Sequence, residues 1–321
     1  MNRLYLSSVG LTATLFLVGC GGSGTVPQNA LQSLASTSGH STSWMLPEAK
    51  GDVLLYATFG CEGTCVISYP ALQVVGSLPL TAAGGCSDSQ GNVFFPGLDK
   101  VTEYAHGGTQ PIATLNLPGD GARACAVDPK SNDLAVVYEG NGGDVAVFTD
   151  EHGTRANYIS HLASRSCGYD NNGNLFVGGY DGSASGLSEL PKSASTFRTF
   201  ALPDTVGNPG RVQWDGTYIA YQGLYPGNTI SRIAISGSTA TVVETVNIKV
   251  PRRVAPSWLY DGKIIVPYNI HNLHPRVIGV FKYPKGGRPT KTIRKFPPYK
   301  KASIDFNGVT VSVAPSRSRT R

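Results

Sequence analysis

One turn motif recurs along this chain at a spacing that leaves few folds open. A short apolar run ends in an aspartate, a glycine or asparagine follows, and a second apolar run leaves the turn. The pattern is carried by Asp88-Ser89-Gln90-Gly91-Asn92, Asp128-Pro129-Lys130-Ser131-Asn132, Asp170-Asn171-Asn172-Gly173-Asn174, Asp215-Gly216 and Asp261-Gly262, with Gly51-Asp52 and Asn307-Gly308 as its outermost echoes. Marking the glycine or asparagine places it at 51, 91, 132, 173, 216, 262 and 308, at intervals of 40, 41, 41, 43, 46 and 46 residues. The chemistry of the turn is explicit: an aspartate side chain accepts from backbone N–H groups two residues on, and glycine or asparagine tolerates the left-handed backbone.

Each unit carries a second hairpin. Val101 to Leu115, with Gly107-Gly108 at its turn, is matched by Ile278 to Ile293 around Gly286-Gly287, and more loosely by Leu187 to Phe200 around Lys192-Ser193. Two hairpins per unit make four short strands, and four strands every ~40 to 50 residues are the signature of a β-propeller. Six intervals predict an all-β, six-bladed propeller of four-stranded blades. The segment from Ala302 to Val313 pairs into the first blade and closes the ring, which removes the exposed edges of an open sheet. Seven blades is the alternative, with the last marker opening a partial blade completed near Trp44. Composition excludes the helical options: 39 of 321 residues are glycine and 21 proline, only two are methionine, and 15% are charged, whereas a coiled coil needs ~50% of A/E/K/L/R at helical period.

The first twenty residues read as an address. Arg3 precedes an apolar run from Leu11 to Val18, too short to span a bilayer and built like a secretory signal. The run ends in Leu17-Val18-Gly19-Cys20, which resembles the lipobox of bacterial lipoproteins. That resemblance implies cleavage after Gly19, acylation of Cys20 and partnership with a lipid bilayer; with Gly21 next, it implies the outer membrane or cell surface. Residues 1–19 are thus expected as a signal peptide, 20–43 as a Gly/Ser/Thr-rich tether too polar to fold, 44–315 as the propeller and 316–321 as a basic tail.

The D-x-x-G-N-apolar turn at this period resembles the NHL and SMP-30 type of bacterial propeller, over essentially all of Trp44 to Pro315. SMP-30-like lactonases hold a divalent metal with an acidic residue and asparagines at the channel mouth. Here only Glu48 and Asn208 can stand in for such ligands, and cysteines and arginines occupy the starts of the inner strands. The favoured reading is therefore a non-enzymatic binding propeller anchored at the cell envelope, with no cofactor. The alternative is an SMP-30-like lactonase or hydrolase that uses a divalent metal. No catalytic residue is assigned; a nucleophile elbow, a phosphate loop and a zinc helix are all absent from the sequence.

Cys20 apart, five cysteines remain. Cys61 and Cys65 flank a hairpin loop and are expected as a small disulfide, as suits an exported chain; zinc is the alternative. Cys86, Cys125 and Cys167 stand two or three residues before three successive turn aspartates. They are expected as small buried hydrophobes, since equivalent positions on adjacent blades usually lie beyond the ~7 Å that a disulfide allows; a three-cysteine metal cluster is the alternative. Arg123, Arg165 and Arg211 recur at the start of inner strands, and planar guanidinium groups there suit a carboxylate or phosphate at the channel mouth. The alternative is that they pair with neighbouring blades or bond to loop carbonyls. His271 and His274 lie in a loop of the last unit.

Charge is divided unevenly along the chain. Residues 246–321 hold sixteen Lys and Arg against two acidic residues, a net of +14, while residues 1–245 hold eleven against nineteen, a net of −8. Lys282, Lys285, Arg288, Lys291, Arg294, Lys295, Lys300 and Lys301 form a patch suited to an anionic envelope surface or a protein partner. Nucleic acid is not expected in that compartment.

Overall fold

The computed structural model describes residues 42–117, 119, 121–138, 144–224, 228–270, 276–299 and 306–315. The repeat becomes six antiparallel sheets set around a channel, a six-bladed β-propeller. Blade 1 contains β1 (Trp44–Met45), β2 (Val53–Gly60), β3 (Gly63–Ser68) and β4 (Gln73–Leu78). Blade 2 is β5 (Cys86–Ser87), β6 (Val93–Pro96), β7 (Lys100–Tyr104) and β8 (Pro111–Asn116); blade 3 is β9 (Ala122–Val127), β10 (Leu134–Tyr138), β11 (Asp144–Phe148) and β12 (Arg155–Ile159). Blade 4 is β13 (Ala163–Tyr169), β14 (Leu175–Asp181), β15 (Ala184–Leu190) and β16 (Arg198–Ala201). Blade 5 is β17 (Pro209–Trp214), β18 (Ile219–Gly223), β19 (Thr229–Ser236) and β20 (Thr239–Asn247), and blade 6 is β21 (Trp258–Tyr260), β22 (Lys263–Tyr268), β23 (Val277–Lys282) and β24 (Gly286–Ile293). The ring closes where β25 (Gly308–Val313) pairs with β2, from Val53 opposite Val313 to Thr58 opposite Gly308.

The middle strands are apolar throughout rather than alternating, because both faces of a blade are buried against neighbours. In β2, Leu54 and Tyr56 pack toward blade 2, while Leu55 and Ala57 pack toward blade 6. In β10, Val136 faces blade 2, and Ala135 and Val137 face blade 4. The core is thus divided into six clusters, one per pair of neighbouring blades. Outermost strands reverse the rule: β20 and β24 are largely exposed, β20 with three threonines and Glu244 and β24 with Arg288, Pro289 and Lys291, and charge and proline blunt such edges against pairing with other chains.

The turn aspartates act as their chemistry predicts. Asp88 Oδ1 accepts from the N–H of Gln90 at 2.9 Å and of Asn92 at 2.7 Å, and Asp170 Oδ1 does the same for Asn172 and Asn174. Asp261 works differently: its own φ is 47° and that of Gly262 is 61°, the two left-handed positions of a tight Asp-Gly hairpin turn. No helix among the described residues is long and apolar enough to cross a membrane.

Of the cysteines, one pair meets expectation and another departs from it. Cys61 and Cys65 are joined across the tip of the β2–β3 hairpin, with Cα atoms 5.1 Å apart. Cys86 and Cys125 are joined as well, at 5.5 Å, so they are not the separate buried hydrophobes that the sequence predicts. Only the innermost strands face the channel, and there neighbouring blades converge within disulfide range. Cys167 is left free and buried.

Candidate functional site

The inner strands of blades 3, 4 and 5 each slip register near their start, between Ala122 and Ala124, between Ser164 and Ser166, and between Pro209 and Val212. The residues inside those slips include Arg123, Arg165 and Arg211. A bulge frees a residue from the pleat and re-aims its side chain, which explains why a long cation is tolerated in a strand walled by apolar neighbours. The three arginines then diverge. Arg165 lies 5.8 Å from the ring centre of Tyr180 in its own blade. Arg211 crosses the channel: it donates through Nη1 to the carbonyl of Gly85 in blade 2 at 3.1 Å, and its guanidinium lies 4.4 Å from the ring centre of Trp258 in blade 6.

Arg211 is 5% exposed, and its Nε has no hydrogen-bond partner among the described residues. Burial pulls its pKa down to about 10, an effect that the adjacent Cys167 opposes. It therefore remains charged near neutral pH. Beside it opens a cavity of about 210 Å³ whose walls come from the inner strands of blades 2 to 6. Arg211 and Cys167 stand together in this wall with Tyr169, Gln213, Trp214 and Trp258. No carboxylate lines it among the described residues. The indole Nε1 of Trp214 is a second buried donor without a partner among the described residues. Gln213 is already used, its Oε1 accepting from the N–H of Leu259 at 2.8 Å, which ties blade 5 to blade 6 and fixes Trp258.

This wall does not suit the divalent metal that the SMP-30 resemblance implies. Its charged member is a guanidinium, and hard cations need convergent oxygen ligands. Glu48 lies on the 3-10 turn Pro47–Lys50 and Asn208 is exposed before β17; neither lines the cavity. Of the expected cationic patch, Lys282, Lys285, Arg288, Lys291, Arg294 and Lys295 are all exposed on or just after β23 and β24. Cys20, His271, His274, Lys300 and Lys301 lie outside the described residues. The aromatic walls were legible in part: Trp258 stands three residues before Asp261, the same place that Cys125 and Cys167 hold before their aspartates.

Six blades around a walled channel define a β-propeller. No family model matches the sequence, and no curated protein does. Solved structures match the fold. A protein of unknown function from Bacteroides caccae aligns with a TM-score of 0.62 at 11% identity, over 82% of this chain and 99% of that one. A chain of a nidogen/laminin complex aligns at 0.61 with 12% identity, over 82% and 98%.

Proposed function

We propose that this chain is a lipid-anchored, non-enzymatic propeller that binds a small anion in its channel. The carrying observation is Arg211, a buried guanidinium that faces a cavity with no carboxylate among its described walls. A buried charge without a counter-charge is costly, and a carboxylate or phosphate ligand would supply one. Trp258 and Trp214 favour a ligand with a flat apolar part beside its charge. The cavity is smaller than the ~300 Å³ of drug-sized pockets, which favours a compact ligand. Because two tryptophans line the site, intrinsic fluorescence reports on it. Titration with benzoate and with inorganic phosphate is expected to give a saturable change for at least one, lost in Arg211→Met. Absence of any saturable change in the wild-type protein would overturn the reading.

Export and anchoring rest on the lipobox-like Leu17-Val18-Gly19-Cys20 and are supported by two disulfides, which persist in oxidising compartments. The basic edge fits the same reading. Trp44, which follows the expected tether, donates through Nε1 to the hydroxyl of Tyr299 at 2.9 Å, just beyond the basic strand of blade 6. Lys291 reaches the Pro70 carbonyl of blade 1 at 3.4 Å. A tether that leaves the body beside its cationic edge would turn that edge toward the membrane. The acyl chains on Cys20 would hold the protein at the bilayer, and a polybasic patch would add an electrostatic contact with its headgroups.

A further inference from the structure

We infer that Asp88, Glu103 and Glu151 form a site for Ca²⁺ that ties blade 2 to blade 3, separate from the channel. Each offers a carboxylate oxygen, and these atoms lie within 4.8 Å of one another. Asp88 comes from the first turn of blade 2 and Glu103 from β7, while Glu151 comes from the tip of the β11–β12 hairpin of blade 3. That tip is shaped to deliver it. Asp150 and Glu151 both adopt left-handed backbone, with φ of 46° and 63°, and the N–H of Asp150 is held by Asp133 Oδ1 at 3.1 Å.

Glu151 makes the case for a ligand. It is 8% exposed, and no hydrogen bond to its carboxylate occurs among the described residues. Glu103 is 2% exposed and meets His152 Nε2 at 2.6 Å through one oxygen. Asp88 is occupied by its own turn, in which Asn92 Nδ2 donates to Oδ2 at 2.7 Å. Thus the carboxylate of one buried residue has no protein donor among the described residues, and it lies against two others.

The equivalent places that carry a charge, in blades 4 and 5, are charge-balanced. The position of Glu103, defined by its pairing with Phe94, is occupied in blade 4 by Glu189 opposite Phe176 and in blade 5 by Arg232 opposite Ala220. Glu189 is answered by Arg198 at 2.6 Å. Arg232 itself answers Asp215 at 2.7 Å, and blade 6 adds the Tyr283 hydroxyl as a donor to that aspartate at 2.7 Å. At the blade 2–3 seam the neighbouring hairpin answers Glu103 with His152 at 2.6 Å but also adds a third acid, Glu151. A bound cation restores the balance that arginine provides elsewhere.

The donor set selects the ion. Carboxylate oxygens suit hard cations over zinc or copper. Ca²⁺ holds its ligands at ~2.3 to 2.6 Å, so opposed oxygens sit up to ~5 Å apart, against ~4 Å around Mg²⁺. Waters and the second oxygens of bidentate carboxylates complete the six to eight positions that Ca²⁺ takes.

The test uses the full chain stripped with EDTA. Calorimetric titration with CaCl₂ is expected to show one saturable site that raises the unfolding temperature, and MgCl₂ a weaker one. Glu151→Gln is expected to weaken Ca²⁺ binding by about tenfold or more, yet to be at least as stable as the calcium-free wild type, because it relieves a like-charge contact. A purely structural role for Glu151 predicts the opposite order of stability. No heat and no thermal shift in wild type at millimolar CaCl₂ would overturn the inference, as would unchanged binding in Glu151→Gln.

Discussion

Arg211 and Cys167 are neighbours on the channel wall, yet they do not neutralise one another. Burial pushes the Cys167 thiol up to about 12, and Arg211 only partly offsets this. A neutral thiol beside a charged guanidinium leaves the positive charge of the cavity intact. It also links stability to pH. The folded state holds the Cys167 proton far more tightly than the unfolded chain, whose thiol titrates near ~8.5. Above that pH the unfolded state sheds a proton that the folded state keeps, so stability falls as pH rises. Cys167→Ala removes this dependence. Its stability deficit relative to wild type is therefore expected to shrink by about 2 kcal/mol between pH 8 and pH 10, measured by urea unfolding. A constant deficit would show that the thiol titrates normally in the fold. At this scale the sequence was partly legible. The turn aspartates and the repeat position of the arginines follow from local chemistry. That Arg211 alone among the three lines the cavity does not, because its reach to Gly85 spans 126 positions in sequence.

At the scale of strands and hairpins, the two disulfides brace different things. Cys61 and Cys65 are four residues apart and close a hairpin that β2 and β3 already form, whereas Cys86 and Cys125 are 39 apart and join the inner strands of two blades. In the chain-entropy account the longer loop stabilises more, about 4 kcal/mol against about 2. The double variant Cys86→Ala/Cys125→Ala is thus expected to lose roughly twice the unfolding free energy of Cys61→Ala/Cys65→Ala, measured by chemical denaturation. Equal losses would mean that the blade 2–3 seam is held by its side chains alone. A separation close to one repeat interval was the available signal for this bridge. Equivalent strand positions alone do not reveal it, because it depends on the convergence of inner strands on a narrow channel. The acidic trio was harder still: Asp88, Glu103 and Glu151 meet only because a hairpin of blade 3 folds back over blade 2, and no periodicity marks that tip.

For the whole molecule, the net of +14 after residue 245 becomes a matter of placement. Six of the cations are exposed along one outer edge of blade 6, beside the groove between Ala71-Leu72 of blade 1 and residues 291–295. Ring closure by β25 brings this C-terminal blade against the first, so the edge lies next to Trp44. Each lysine or arginine near an anionic surface contributes about 1 kcal/mol, and salt screens it within a Debye length of ~8 Å at physiological strength. Without acylation the edge should therefore bind anionic vesicles weakly and reversibly. The mature chain carrying Cys20→Ser is expected to co-sediment with vesicles containing phosphatidylserine at 0.1 M salt, to release at 0.5 M, and to ignore neutral vesicles. Replacing Lys291, Arg294 and Lys295 by glutamine removes about 3 kcal/mol, on the order of a hundredfold in partitioning. Binding that survives either high salt or the triple replacement would place the contact elsewhere on the propeller and leave the charged edge without a role at the membrane.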